Sequence, residues 1–297
     1  SPEKCQPTHT SLTGDTMYFA RVSSRILLIS ANRCSSPYAV YPLGACHLAS
    51  SLQNAGHEVE LLDVNCDGER LDEVLRSWGP DVVGLSVRNI DDVDIEQQRF
   101  FVPDLAELAR TVRAATSVPL VLGGSAYSLF PEELLELTGA DFGIRGEGDT
   151  ALPLLVDALE KRTSPAGIPG LVHRTAKGIT VNPREQVPVE SIARPKLPPH
   201  FVEYYRRTSS MLNVQTQRGC AHHCCYCTYP LIEGARTRYR PAGEVVEEIA
   251  AARACGVHYF FIVDSVFNTR RDHVTAICEG IIRRKLDINF CCFLRPK

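Results

Sequence analysis

No stretch of this 297-residue chain is apolar over the ~20 positions needed to cross a bilayer, and no secretory hydrophobic region stands near its start. The expectation is a cytoplasmic protein without a transmembrane segment. Lys and Arg form no broad basic stripe, and the formal net charge is −3, so no nucleic-acid partner is expected. A second CxxC-type pair is also missing. The other close pair, Cys291-Cys292, consists of adjacent residues with poor geometry for a tetrahedral zinc ion. Twelve cysteines without an export signal fit a reducing compartment, where thiols serve metals rather than disulfides.

What is present is concentrated in Arg218-Gly219-Cys220-Ala221-His222-His223-Cys224-Cys225-Tyr226-Cys227-Thr228-Tyr229. Cys220, Cys224 and Cys227 stand at C-x3-C-x2-C, with Tyr226 just before the third. Thiolate is the soft ligand that iron–sulfur clusters take, and three ligands rather than four leave one iron open to a small chelating molecule. Cys225 falls outside the spacing and reads as a small buried hydrophobe. His222 and His223 read as solvent-facing residues.

The rest of the chain is ordinary in composition, 44% hydrophobic and 23% charged, and long enough for two domains. Residues 1–23 read as a loose tail. From Arg25 apolar runs alternate with helical periods. The runs are Arg25–Ser30, His57–Asp63, Asp81–Val87, Val118–Gly124 and Phe142–Arg145, with helices over about 43–55, 103–115, 131–137 and on to 161. That alternation predicts a doubly wound α/β domain over 24–162 with a parallel sheet. Ligands of such sheets sit beyond the carboxyl ends of the strands. The loops there are Ser30-Ala31-Asn32, Ser86-Val87-Arg88-Asn89, Gly123-Gly124-Ser125 and Gly146-Glu147-Gly148. Residues 163–208 read as a β-hairpin followed by an extended, Pro-rich linker. Residues 209–297 read as βαβαβ, the opening half of a (β/α) barrel. In this half, Arg236, Arg238 and Arg240 could clamp an anion or simply be solvated. The chain begins at Ser1 without an initiator methionine and stops two residues after Arg295, which reads as a piece of a longer protein.

The cysteine spacing resembles the signature of the radical S-adenosylmethionine (SAM) superfamily. The first domain resembles the cobalamin-binding domain of the cobalamin-dependent branch of that superfamily. The latter rests on Tyr41-Pro42-Leu43-Gly44, Gly56-His57-Glu58-Val59 with Asp63, Gly123-Gly124-Ser125 and Arg145-Gly146-Glu147-Gly148. The resemblance implies a flavodoxin-like, cobalamin-binding-type sheet followed by the first half of a radical SAM partial barrel. It implies Cys220, Cys224 and Cys227 as ligands of a [4Fe–4S] cluster. Tyr226, Asp264, Ser265, Asn268 and Arg295 are then SAM contacts, Asp264 accepting from the methionyl ammonium or else capping a helix. Ser30, Ala31, Asn32, Pro42, Leu43, Gly44, Ser86, Val87, Arg88, Gly123, Gly124, Ser125, Gly146, Glu147 and Gly148 are cobalamin contacts. One departure is plain. The D-x-H-x-x-G motif that gives cobalt a lower histidine ligand is absent, Asn65 standing where His would be. His47 and His57 read as helix-face and strand-edge residues.

By the same resemblance, the cluster cleaves SAM to a 5′-deoxyadenosyl radical, and cobalamin carries a methyl group to an unactivated carbon of a small-molecule, lipid or peptide substrate. Electrons come from a flavodoxin- or ferredoxin-type donor. The alternatives are a cyclising or rearranging enzyme of the same domain pair, and a non-catalytic cobalamin or metal sensor. No catalytic acid or base is evident.

Overall fold

In the computed structural model of the protein, residues 23–92 and 94–296 are described. The tail expected over 1–23 lies, up to residue 22, outside the described residues.

The first layer opens with β1 (Arg25–Ser30), α1 (Leu43–Asn54) and β2 (Glu58–Asp63). A short helix α2 (Leu71–Glu73), running into a wide turn at Val74–Trp78, precedes β3 (Val82–Ser86). Then come α3 (Val102–Ala115), β4 (Leu120–Gly123), α4 (Pro131–Thr138), β5 (Phe142–Ile144) and α5 (Ala151–Glu160). The five strands are parallel in the order β2-β1-β3-β4-β5. This is the flavodoxin-like order, in which the topology reverses between β1 and β3. The hairpin β6 (Leu171–Thr175) and β7 (Gly178–Val181) adds two antiparallel strands beside β5. It therefore extends the sheet to seven strands instead of standing apart.

Period-2 alternation explains why these strands are apolar throughout: a sheet covered on both faces must bury both sets of side chains. Ile26 and Leu28 enter one core with α1 and α5, while Leu27 and Ile29 enter a second core with α3 and α4.

The chain from Pro195 onward corrects the expectation of an extended linker. Pro199–Thr208 is a helix, α6. Pro199 sits in its first turn, where a missing N–H costs nothing. Phe201, Val202 and Tyr205 form its buried stripe, and the Tyr205 hydroxyl donates to Asp63 Oδ2 at 2.5 Å. The second layer follows as β8 (Leu212–Val214), β9 (Gln217–Arg218), α7 (Tyr229–Glu233), β10 (Arg238–Tyr239), α8 (Ala242–Ala254), β11 (Tyr259–Ile262), α9 (Arg271–Arg283) and β12 (Asn289–Cys292). Strands β8, β11 and β12 form a parallel sheet in the order β12-β11-β8, and β9 pairs antiparallel with β10. The core on the α1/α5 side of the large sheet continues through Phe201 and Tyr205 of α6 into β8, β11, α8 and α9. One apolar interior serves both sheets.

Two outcomes follow. Phe201 is fully buried in that shared interior, so Phe201→Ala should lower unfolding free energy by about 3–5 kcal/mol in urea titrations. Burial raises the Asp63 carboxyl to about 6, against the hydrogen bonds from Tyr205 and the Asn65 N–H. Its folded value lies above its unfolded one of about 4, so the native state binds more protons between the two. Its contribution to stability therefore falls as pH rises from about 4 to 6. Asp63→Asn should lose that pH-dependent part, seen as a smaller stability difference between pH 4.5 and pH 7 than in the parent protein.

Candidate functional site

Because β1, β3, β4 and β5 are parallel, their carboxyl ends open on one edge, and a cavity of about 400 Å³ lies there. Its floor is Ser30 and Asn32 after β1, Ser86 and Arg88 after β3, Gly123, Gly124 and Ser125 after β4, and Gly146, Glu147, Gly148 and Asp149 after β5. Pro42, Leu43, Gly44, His47 and Leu48 close one side from the start of α1. Most of the expected cobalamin contacts are thus brought together.

Two are not. Ala31 and Val87 alternate away from the cavity and pack in the second core, because adjacent residues of an extended chain face opposite ways. Glu147 needs a different correction. It lines the cavity, but both of its oxygens are held by protein. Oε1 accepts from Arg238 at 2.8 Å and Arg218 at 3.3 Å, and Oε2 accepts from Arg238 and the Val187 N–H at 2.8 and 2.7 Å.

Free polar capacity lies elsewhere. Asn32 Oδ1 accepts from the Cys34 N–H, while Asn32 Nδ2 is buried without a protein partner. His47 lies 2.7 Å through Nδ1 from the Ala193 carbonyl. Burial first, then the charges of Arg218 and Arg240, holds its pKa well below the ordinary imidazole value. The neutral ring donates through Nδ1 and leaves Nε2 unpartnered in the cavity wall. Reading His47 as a plain helix-face residue missed this. Buried polar atoms without partners are rare enough to mark a place where a polar ligand fits, and the small residues after β4 and β5 allow close approach. Gly124 shows the limit: it has φ +104°, and a Cβ there would meet the Val87 carbonyl oxygen at 2.5 Å. The cavity fits an amide-rich ligand such as cobalamin in the chemistry of its donors and acceptors.

The opposite wall comes from the second layer: Asn213, Gln215, Arg218, Tyr229, Ile232, Glu233 and Val263. None of these was expected at the cavity. The signal for some was the polar alternation Asn213–Gln215 inside an otherwise apolar strand. Directly behind this wall is the cysteine loop. Gly219 has φ +80° and a Cβ there would stand 2.1 Å from the Arg236 carbonyl oxygen, so the chain can enter the loop only through glycine. The Gly219 N–H donates to Glu233 Oε2 at 2.9 Å and the Cys220 N–H to the Gly234 carbonyl at 3.0 Å. Cys220 is buried, Cys227 half-buried and Cys224 exposed, with Cys227 N–H turned back to the Cys224 carbonyl at 3.2 Å. Among the described residues no three His, Cys, Asp or Glu side chains converge on one metal position. The donor set is nevertheless three thiols on one anchored loop, which suits iron and sulfide better than zinc. Cys225 is exposed rather than buried, and Tyr226 is 86% exposed.

The expected SAM contacts divide similarly. Asp264, two residues past β11, is buried, and its oxygens accept from the Thr216 N–H at 2.7 Å, the Thr216 hydroxyl and the Gln217 N–H at 3.3 Å. It is occupied in holding the β8–β9 turn, which corrects its assignment to an ammonium; it caps no helix either. Ser265 Oγ lies 3.4 Å from the Gly219 carbonyl. Asn268 exchanges two hydrogen bonds with the Arg295 backbone, at 2.8 and 2.9 Å. The Arg295 guanidinium reaches His222 on the cysteine loop at 2.8 Å, so His222 is not simply a solvent-facing residue. Ser265, Asn268 and Arg295 thus gather at the loop.

Fold and site together define a cobalamin-type α/β domain joined to radical-SAM-type strands. The comparisons agree. Residues 29–156 match the B12 binding domain family. Tryptophan 2-C-methyltransferase of Streptomyces laurentii is 27% identical, over 88% of this chain and 52% of its own length. Hopanoid C-3 methylase of Methylococcus capsulatus is 27% identical, over 82% of this chain and 45% of its own. The structure of the radical S-adenosylmethionine methyltransferase TsrM from Kitasatospora setae, with cobalamin and a [4Fe-4S] cluster bound, superposes with a TM-score of 0.78. It is 31% identical and covers 89% of this chain and 53% of that one. The chain is similar to these methyltransferases and spans about half the length of those it matches. No helix among the described residues is long and apolar enough to cross a membrane.

Gly124→Ala should lower the urea midpoint by an amount equivalent to about 1–3 kcal/mol. Gly68→Ala, where a Cβ meets nothing within 4 Å, should stay within about 0.5 kcal/mol of the parent.

Proposed function

We propose that this chain is the cofactor-binding portion of a cobalamin-dependent radical SAM methyltransferase acting on an unactivated carbon. One observation carries the reading: the cavity at the switch point of a B12-binding sheet shares a wall with the three-cysteine loop, through Gln215, Arg218 and Glu233. When bound, a [4Fe–4S] cluster with SAM supplies a 5′-deoxyadenosyl radical and cobalamin supplies a transferable methyl group.

The residues of this chain bind, orient and seal. Cys220, Cys224 and Cys227 hold the cluster, with Gly219 and Glu233 fixing the entry to their loop. Arg295, which follows β12 and is held through its backbone by Asn268, stands at the loop where an amino-acid carboxylate can be received. Ser30, Asn32, Gly123, Gly124, Ser125, Gly146 and Gly148 line the corrin side, with Asn32 Nδ2 and His47 Nε2 offering one donor and one acceptor to amide groups. Tyr229 donates its hydroxyl to the Val263 carbonyl at 3.0 Å and closes the wall between the two sites against water. No acid or base is assigned. The substrate is a small molecule, lipid or peptide, and the electron donor a cytoplasmic flavodoxin or ferredoxin type.

The test is metal content after anaerobic reconstitution with iron, sulfide and hydroxocobalamin. About four irons and one cobalt per chain are expected, with iron lost on Cys220→Ala, Cys224→Ala or Cys227→Ala. Iron without cobalt would keep the radical chemistry but remove methyl transfer. Zinc in place of iron would overturn the reading.

A further inference from the structure

The acids of the Gly146–Asp149 loop face away from solvent and toward the second layer. Asp149 takes Arg218 in a two-pronged contact, NH1 to Oδ2 at 2.7 Å and NH2 to Oδ1 at 3.2 Å. Burial alone would raise the Asp149 carboxyl, but Arg218 more than offsets it and holds the pKa low. Glu147 takes Arg238 in the same two-pronged manner. Arg218 and Arg238 are directly cross-paired on β9 and β10. All four side chains are nearly buried, with exposures between 4 and 13%. From Arg218 the bonds continue inward. Its Nε donates to Gln215 Oε1 at 3.1 Å, Gln215 Nε2 donates to Glu233 Oε1 at 2.8 Å, and Glu233 Oε2 receives the Gly219 N–H at 2.9 Å. Cys220 is the next residue. An unbroken chain of hydrogen bonds thus runs from the cavity floor to the backbone of Gly219, the residue before the first cysteine.

We propose that Asp149, Glu147, Arg218 and Arg238 are positioning residues that couple the two sites, so that an occupied cysteine loop tightens corrinoid binding in the cavity and the reverse. This rests on the function proposed above. Energetic coupling between sites needs differential contacts, and it is reciprocal. Here the differential contact is the register of β9 against the Gly146–Asp149 loop. A bidentate guanidinium–carboxylate pair fixes that register in angle as well as distance, which a lysine could not do.

The experiment titrates hydroxocobalamin, by its absorbance, into the anaerobic full chain with and without reconstituted cluster. Binding about tenfold tighter with the cluster is expected for the parent protein. Asp149→Asn, which keeps shape and loses charge, and Arg218→Lys, which keeps charge and loses the fork, should each bring that ratio to within about twofold of one. Arg238→Lys is the milder third variant should either of these not fold, as judged by circular dichroism. A second readout is the electron paramagnetic resonance spectrum of the reduced cluster, which should shift on adding cobalamin in the parent and not in the variants. A parent ratio near one, or folded variants that keep the parent ratio and the spectral shift, overturns the coupling while leaving the functional reading intact. A parent chain that takes up no iron or no cobalamin overturns both.

Discussion

Arg218 and Arg238 meet across a two-residue antiparallel ladder, and two buried guanidinium groups cannot remain side by side without anions. Glu233 of the second layer lies nearby, and that carboxyl is already engaged with Gln215 and Gly219. The missing charge comes from Glu147 and Asp149, on the loop after β5 of the other sheet. Removing one member would strand a buried charge, which is costlier than never having had the pair. The placement of β9, and hence of the cysteine loop, depends on this exchange.

The elements of the first layer were legible because helix and strand differ in hydrophobic period, and both periods are strong between Arg25 and Glu160. The parallel arrangement followed from strand–helix alternation, and the cysteine spacing pointed to the loop. What stayed hidden has a common cause. A proline-rich stretch reads as a linker, yet Pro198 and Pro199 only set the start of α6, and Phe201, Val202 and Tyr205 then place its apolar stripe. Asp264 looked available to a ligand because a carboxylate at a strand end is often free. Its partners Thr216 and Gln217 lie 47 or 48 residues away in sequence. Glu147 was read with its flanking glycines as a ligand phrase, although the glycines make the approach and the acid makes the interlayer contact. Which polar residue faces a cavity and which faces a neighbour is a tertiary property.

The polar atoms left over are as informative as those that are paired. Asn32 Nδ2 and His47 Nε2 stand buried and unpartnered in a cavity whose other buried charges, Glu147, Asp149 and Arg218, are already paired with one another. A ligand with both donors and acceptors at its rim would satisfy both. The neutral imidazole also leaves the cavity without an added positive charge beside Arg218 and Arg240, already neutralised by Asp149 and Glu248.

The interior that begins at Ile26 and ends at Ile281 passes through α6 without a break. The two sheets are therefore separate in topology but not in stability. A cut between residues 162 and 163 would expose apolar faces on both fragments, so neither sheet can be exchanged without remaking the interior of the other.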